Sequence, residues 1–298
     1  MHRLSTPLFV FLLLVGAALP GTASAEDDFG VLVMAHGGGE AWNASVETML
    51  EPLREEMPLA IAFGMADPNT IQSAAERLEE QGVDRIGVVR LFISGESWRE
   101  RTAQILGLGP GAPPRPAEAG HGNHGGHDMS LWRIDSDARF AMTGEGLFEA
   151  SEIGAVLAER ARALSSDPAR ESVLILAHGP GDDAENARWL ANMESQSAAV
   201  RALAPFRAVQ VETLREDWPE ERAAAETRIR GFVEAAARED GRALVIPYRL
   251  SGFGPYAEVL EGLTYVSDGR GLLPSEEVAN WVRRQAAALR VELEALTP

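Results

Sequence analysis

The sequence of 298 residues contains no cysteine and no lysine. Without cysteine there are no disulfides, thiolate metal sites, iron–sulfur clusters or Cys nucleophiles, so imidazole, carboxylate and hydroxyl groups must carry any chemistry. Every one of the 27 basic residues is Arg, and 45 acidic residues stand against them for a net charge of −18. Such a surface argues against a nucleic-acid backbone or an anionic membrane as the main partner. Long apolar runs are scarce too. The single one, Leu8 to Leu19, falls short of the ~20 residues a spanning helix needs, so no membrane span is expected. It follows His2 and Arg3 and precedes Ala23-Ser24-Ala25, the pattern of a secretory signal cleaved after Ala25, with an uncleaved anchor as the alternative. This reading sets residues 1–25 aside and places the mature chain in the periplasm or outside the cell.

What remains is 45% hydrophobic, enough for one large or two ordinary domains. An internal repeat favours two. Phe29 to Gly39 (FGVLVMAHGGG) matches Glu171 to Gly181 (ESVLILAHGPG), Ile86 to Gly95 matches Ala243 to Gly252, and Gly146 to Leu164 matches Gly271 to Leu289. Three blocks in one order predict two tandem domains, 26–165 and 171–298, in a monomer with pseudo-two-fold internal symmetry. Within each half, apolar strands without alternation are separated by amphipathic stretches such as Trp42, Val46, Met49, Leu50, Leu53 and Met57 before Pro58. Asn69 is read as the cap of the next helix, and Ser151 to Leu164 as the closing one. The pattern predicts an α/β class: two doubly wound domains, each with a mostly parallel sheet flanked by helices. Ligands of such domains sit at the carboxyl ends of the strands.

The first half is 32 residues longer between its second and third blocks. The excess holds a Gly/Pro/His-rich tract, Gly107 to Met129, read as a loop that leaves the end of a central strand and overhangs the ligand edge. His121, His124 and His127 in it, with Asp128 following, are candidate ligands for a divalent ion, the alternative being a solvated low-complexity loop. His36 and His178 each end a buried strand before a Gly-rich turn, where a neutral imidazole ligates a metal or accepts a proton; the alternative is a histidine that merely serves the turn. Glu96 lies close to a strand end, facing a ligand or solvent. A hydrolase reading draws on His36-Gly-Gly-Gly39 and Gly95-Glu-Ser97-Trp98, but Arg99 stands where a nucleophile elbow needs Gly.

The segments Val31-Leu-Val-Met-Ala-His-Gly-Gly-Gly39, Ala62-Phe-Gly-Met-Ala-Asp-Pro68 and Val88-Val-Arg-Leu-Phe-Ile-Ser-Gly95, with the strand–helix order around them, resemble the sirohydrochlorin chelatases. These class II enzymes insert cobalt, nickel or ferrous iron into modified tetrapyrroles without a nucleotide. The resemblance spans both halves and implies one cleft between them. It implies that His36 binds the incoming divalent metal (Co, Ni or Fe) or takes up pyrrole protons, with His178 and Glu96 as further catalytic candidates. It also places the tetrapyrrole against Gly37, Gly38, Ser94, Gly179 and Ser251. The family carries a second His in a Gly-any-His pattern; here those places read Gly95-Glu96-Ser97 and Gly252-Phe253-Gly254. Glu96, His178 or the His-rich loop would have to substitute. A non-catalytic periplasmic metal or tetrapyrrole carrier on the same scaffold is the other reading.

Overall fold

The computed structural model describes residues 28–116 and 130–296. Two parallel four-stranded sheets organise them. The first has the order β2 (Leu59–Phe63), β1 (Phe29–Ala35), β3 (Arg85–Leu91), β4 (Arg139–Met142). The second repeats it as β6 (Ala208–Thr213), β5 (Glu171–Ala177), β7 (Arg242–Tyr248), β8 (Tyr265–Val266). The central strands bury both faces, which is why they read as unbroken apolar runs. Val31, Val33 and Ala35 point to one side and Leu32 and Met34 to the other, and β5 alternates likewise through Val173, Ile175, Ala177 and Leu174, Leu176.

Register sets the edge. Ala35 lies opposite both Phe63 and Leu91, and Ala177 opposite both Thr213 and Tyr248. Three strands of each sheet therefore end flush, and His36 and His178 are the first residues beyond them.

The helices are α1 (Glu40–Arg54), α2 (Pro68–Glu79), α3 (Arg99–Ile105), α4 (Ile153–Leu164), α5 (Asp183–Leu203), α6 (Pro219–Ala236), α7 (Tyr256–Val259) and α8 (Glu276–Ala295). One core joins the inner faces of both sheets with residues of α1, α4, α5 and α8, whereas α2 and α3 cover the outer face of the first sheet and α6 and α7 that of the second. The closing helices are exchanged. The C-terminal α8 lies on β3 and β4 of the first sheet, and α4 lies on β7 and α5 of the second half. Where Gly87 of β3 lacks a side chain, a Cβ would meet Leu289 of α8 at 3.1 Å, so a small residue in the strand admits the helix from the other half.

Polar contacts reinforce this shared core. The Gln196 side-chain amide of α5 faces the carbonyls of Leu147, Phe148 and Ala150 at 2.8–3.0 Å. The buried Tyr248 hydroxyl donates to Gln196 Oε1 at 2.6 Å. Arg283 and Arg284 of α8 pair with Glu56 and Glu152 of the first half.

The repeated glycines have a steric cause. A Cβ on Gly146 would sit 2.4 Å from the Gly95 nitrogen, and one on Gly271 would sit 2.4 Å from the Arg249 carbonyl oxygen. In both halves the segment before the closing helix crosses the segment after the third strand with backbone against backbone. The same two hydrogen bonds fix each crossing: Leu147 and Phe148 donate to Phe92 and Ile93, and Leu272 and Leu273 donate to Arg249 and Leu250.

Three expectations need correction. The cap of α2 is Asp67, whose carboxylate accepts from the Asn69 backbone at 2.8 Å; Pro68 takes the first helical position, where its missing N–H costs nothing. The first helix stops at Arg54, short of Pro58. The Gly/Pro-rich tract leaves from the end of α3 rather than from a strand. Its stem is pinned: Arg133 donates to the Pro113 carbonyl, and Trp132 is buried beneath the Arg115 guanidinium.

Candidate functional site

Both strand-end histidines are built alike. Each precedes a glycine in the left-handed region, Gly37 at φ +78° and Gly179 at φ +81°. There the chain turns so tightly that a Cβ would come within 3.0 Å of the Gly64 nitrogen or 2.7 Å of Thr213 Cβ. Each histidine's carbonyl accepts from the loop after the neighbouring strand. Gly64 and Met65 donate to His36, both at 3.1 Å, and Arg215 donates to His178 at 2.7 Å. Met65 and Arg215 are themselves left-handed, at φ +62° and +58°, a conformation that costs a non-glycine residue about 1–2 kcal/mol. Strain repeated at the same place in both halves marks an edge held in a set shape.

The rings follow. Nδ1 of His36 lies 2.7 Å from the Gly37 carbonyl and Nδ1 of His178 lies 2.6 Å from the Gly179 carbonyl. With the proton on Nδ1 donated to a carbonyl, Nε2 keeps its lone pair, the arrangement that orients a metal-ligating or proton-accepting imidazole.

Beyond that point the halves diverge. Nε2 of the half-buried His178 lies 3.0 Å from Asp217 Oδ2 and 3.9 Å from Glu216 Oε2. At that distance Nε2 either donates a hydrogen to the carboxylate or shares a cation with it. Two donor atoms 3.0 Å apart subtend about 90° at an ion bound at ~2.1 Å from each, a cis angle of octahedral coordination. Trp218 stands edge-on to the ring at 6.1 Å. The matching loop of the first half reads Met65-Ala66-Asp67, and its one carboxylate, Asp67, is occupied as the helix cap.

The other expected residues fall into three groups. Glu96 is exposed and pairs with Arg188 of α5, with both carboxylate oxygens 3.2 Å from one guanidinium nitrogen. That pair puts the end of β3 beside the helix that begins just after His178. Ser94 is buried, its hydroxyl accepting from the Glu96 backbone, and Gly38 packs under the Trp42 ring. Ser251 lies at the matching loop of the second half, partly exposed. His121, His124 and His127 lie outside the described residues, although the first described residue after them, Ser130, accepts from Arg101, which also holds the Ala66 carbonyl beside Asp67. Among the described residues no group of three or more His, Asp or Glu side chains is arranged to hold a metal ion.

Sequence reasoning missed Glu216 and Asp217. The signal available was weak: both loops end in a helix-opening proline, Pro68 and Pro219, and aligning them would have set two acids where the first half has one. It also missed Arg90, read as part of an apolar strand. That guanidinium is buried and held by the carbonyls of Thr143, Ser97 and Gly95, and burial pulls its pKa down to about 10. It fixes the loop that carries Glu96.

Comparison with solved structures identifies this architecture. SirB from Bacillus subtilis with Fe3+ matches with a TM-score of 0.60 at 15% identity, over 89% of this chain and 98% of that one. The fold is that of the chelatases. The sirohydrochlorin chelatase SirB from Bacillus subtilis subspecies spizizenii in complex with cobalt matches with a TM-score of 0.55 at 14% identity, over 89% and 98% of the two chains. A multi-domain protein from Deinococcus radiodurans, described as structurally similar to chelatases with two additional domains, matches with a TM-score of 0.55 at 19% identity. That match covers 87% of this chain and 54% of the other, so this chain spans about half its length. No protein-family model matches the chain, and no curated protein matches it in sequence.

Proposed function

We propose that this chain is a chelatase of the sirohydrochlorin type, which takes a divalent cobalt, nickel or iron ion as substrate and passes it to a modified tetrapyrrole between its two halves. The observation that carries the reading is the His178 edge: an imidazole with Nδ1 tied to a carbonyl and Nε2 3.0 Å from Asp217, at the flush carboxyl end of a parallel sheet on the chelatase fold. Insertion needs a ligand that strips water from the ion and a base for two pyrrole protons. In this proposal His178 and Asp217 grip the ion with two donors and leave its remaining positions open. His36, at the matching strand end of the other half, is the base. Gly37 and Gly179 let the macrocycle approach the turns closely. The acidic surface raises the local concentration of divalent cations. The N-terminal segment sends the mature chain out of the cytoplasm, and the N-terminus of the secreted protein is then Glu26.

The test mixes purified protein with sirohydrochlorin and Co2+ or Ni2+ and follows the tetrapyrrole absorbance. Insertion faster than in a protein-free blank is expected, lost in His178→Ala and slowed about tenfold or more in Asp217→Asn. A rate equal to the blank removes the enzymatic reading. The second reading, a carrier that holds metal without inserting it, is favoured by one observation. Gly254, the place of the second family histidine in this half, packs against the Arg249 guanidinium, 2.9 Å from where its Cβ would be. Metal retained through gel filtration with no insertion supports the carrier.

A further inference from the structure

The residue next to His178 across the sheet edge is Arg249: Ala177 pairs with Tyr248, and each strand is followed by one of the two. Its guanidinium is fixed on three sides. One nitrogen makes a short ion pair with Glu216 Oε1. Its Cζ lies 5.7 Å from the centroid of the fully buried Tyr256 ring. On the third side is Gly254, at φ +60°, where a Cβ would fall 2.9–3.0 Å from Cζ, Nη1 and Nε. The glycine leaves the room that the guanidinium fills. Glu216 is the carboxylate this cation holds, with a side chain 12% exposed, and its other oxygen stops 3.9 Å from His178 Nε2. Asp217, 71% exposed and 3.0 Å from the same nitrogen, makes no ion pair with an Arg among the described residues.

We infer that Arg249 is a positioning residue that sets the charge of the His178 edge: it draws Glu216 out of the donor set, so that a divalent cation is gripped by His178 and Asp217 alone. The inference rests on the proposed metal-handling role of His178 and adds how tightly the ion is held. A carboxylate whose oxygen is already paired with a guanidinium is a poor ligand, because binding the ion means breaking or sharing a charge-assisted bond. With Glu216 neutralised, the site carries one available negative charge instead of two. The ion is then held by a pair of donors and a partial water shell, a grip suited to release into a stronger ligand such as a macrocycle.

The probe is Zn2+, which is diamagnetic, and the readout is the His178 ring in long-range 1H–15N spectra of the full chain, assigned by its loss in His178→Gln. Freeing Glu216 in Arg249→Met is expected to lower the half-saturating Zn2+ concentration about tenfold, the lower end of the effect of groups that orient metal ligands. Glu216→Gln alone is expected to leave half-saturation within about twofold of wild type, because that carboxylate is not a donor while Arg249 holds it. Arg249→Met/Glu216→Gln then loses the gain. Arg249→Lys keeps a cation against Glu216 and is expected to titrate like wild type, which guards against a packing defect in the methionine variant. A wild-type shift that Arg249→Met leaves unchanged or weakens overturns the inference alone, as does a tenfold loss in Glu216→Gln. A His178 ring that Zn2+ moves in none of these proteins overturns the metal reading of the site and the inference with it.

Discussion

Glu171 offers the most direct measurement of how the two halves are tied. It opens β5, is fully buried, and closes the six-residue connection from α4. Burial alone would raise its pKa, but donors from Ser165, the Ser166 backbone, Arg242 and the Asp167 backbone outweigh it and hold the carboxyl at about 2 instead of 4.5. At about 1.36 kcal/mol per unit, that difference stabilises the folded chain by about 3 kcal/mol at neutral pH. The folded pKa is depressed, so the contribution is complete above the unfolded value of 4.5 and disappears as pH falls toward 2. At pH 3 it should be about 1.5 kcal/mol. In Glu171→Gln the carboxylate is gone and one amide N–H group faces donors. Urea unfolding of wild type and variant, followed by circular dichroism, should show a gap of about 3 kcal/mol at pH 7 that halves by pH 3. A gap of the same size at both pH values, or one under about 1 kcal/mol at pH 7, would refute the assignment of that stability to the buried carboxylate.

Two further substitutions test the packing. Gln196→Ala removes the donor to three carbonyls and the acceptor of the Tyr248 hydroxyl, and should cost about 3 kcal/mol, since buried groups left unsatisfied cost ~1–3 kcal/mol each; a urea midpoint within error of wild type contradicts the shared interface. Gly146→Ala drives a Cβ into the Gly95 and Ser94 backbone at 2.4–2.5 Å and should cost more than about 3 kcal/mol or abolish folding. Its control is Gly231→Ala in α6, where nothing lies within 4 Å, which should gain up to about 1 kcal/mol in thermal melts.

The sequence made the central strands and the strand-end histidines legible because each depends on local pattern: an unbroken apolar run means a strand buried on both faces, and Ala-His-Gly marks where it stops. The repeated glycines were visible as blocks, though their cause, a crossing of two backbones, is not local. The exchange of α4 and α8 was hidden for a related reason. An amphipathic face such as Val278, Trp281, Val282 and Leu289 requires an apolar surface but does not say which sheet provides it. Asp67 lost its place as cap to Asn69 because a proline between them looked like a break when it is the first helical residue. Arg90 and Glu171 were illegible since a buried charge is recognised only from partners that the fold brings in, carbonyls in one case and a linker's N–H groups in the other. Glu216 and Asp217 were illegible because nothing local says that a loop after one strand will meet the imidazole at the end of its neighbour.

The two halves share a scaffold and differ in where they place charge, and that difference bears directly on the chemistry. In the first half the loop after β2 offers Ala66 where the second offers Glu216, and its one carboxylate, Asp67, is spent on the helix cap. The second half caps α6 with Trp218 and proline instead, which releases Asp217 to face the imidazole. In the proposed site a cation takes its donors, His178 and Asp217, from the second half. A base on the first half keeps its lone pair best if no metal competes for it. On the proposed reading a single chain with two different halves assigns ion and proton to different halves, a division that two identical subunits sharing a symmetric site cannot make without breaking their symmetry. On the proposed reading, His178→Ala should abolish metal retention while His36→Ala retains metal and loses insertion; equal loss of metal in both would mean that the halves are not so divided.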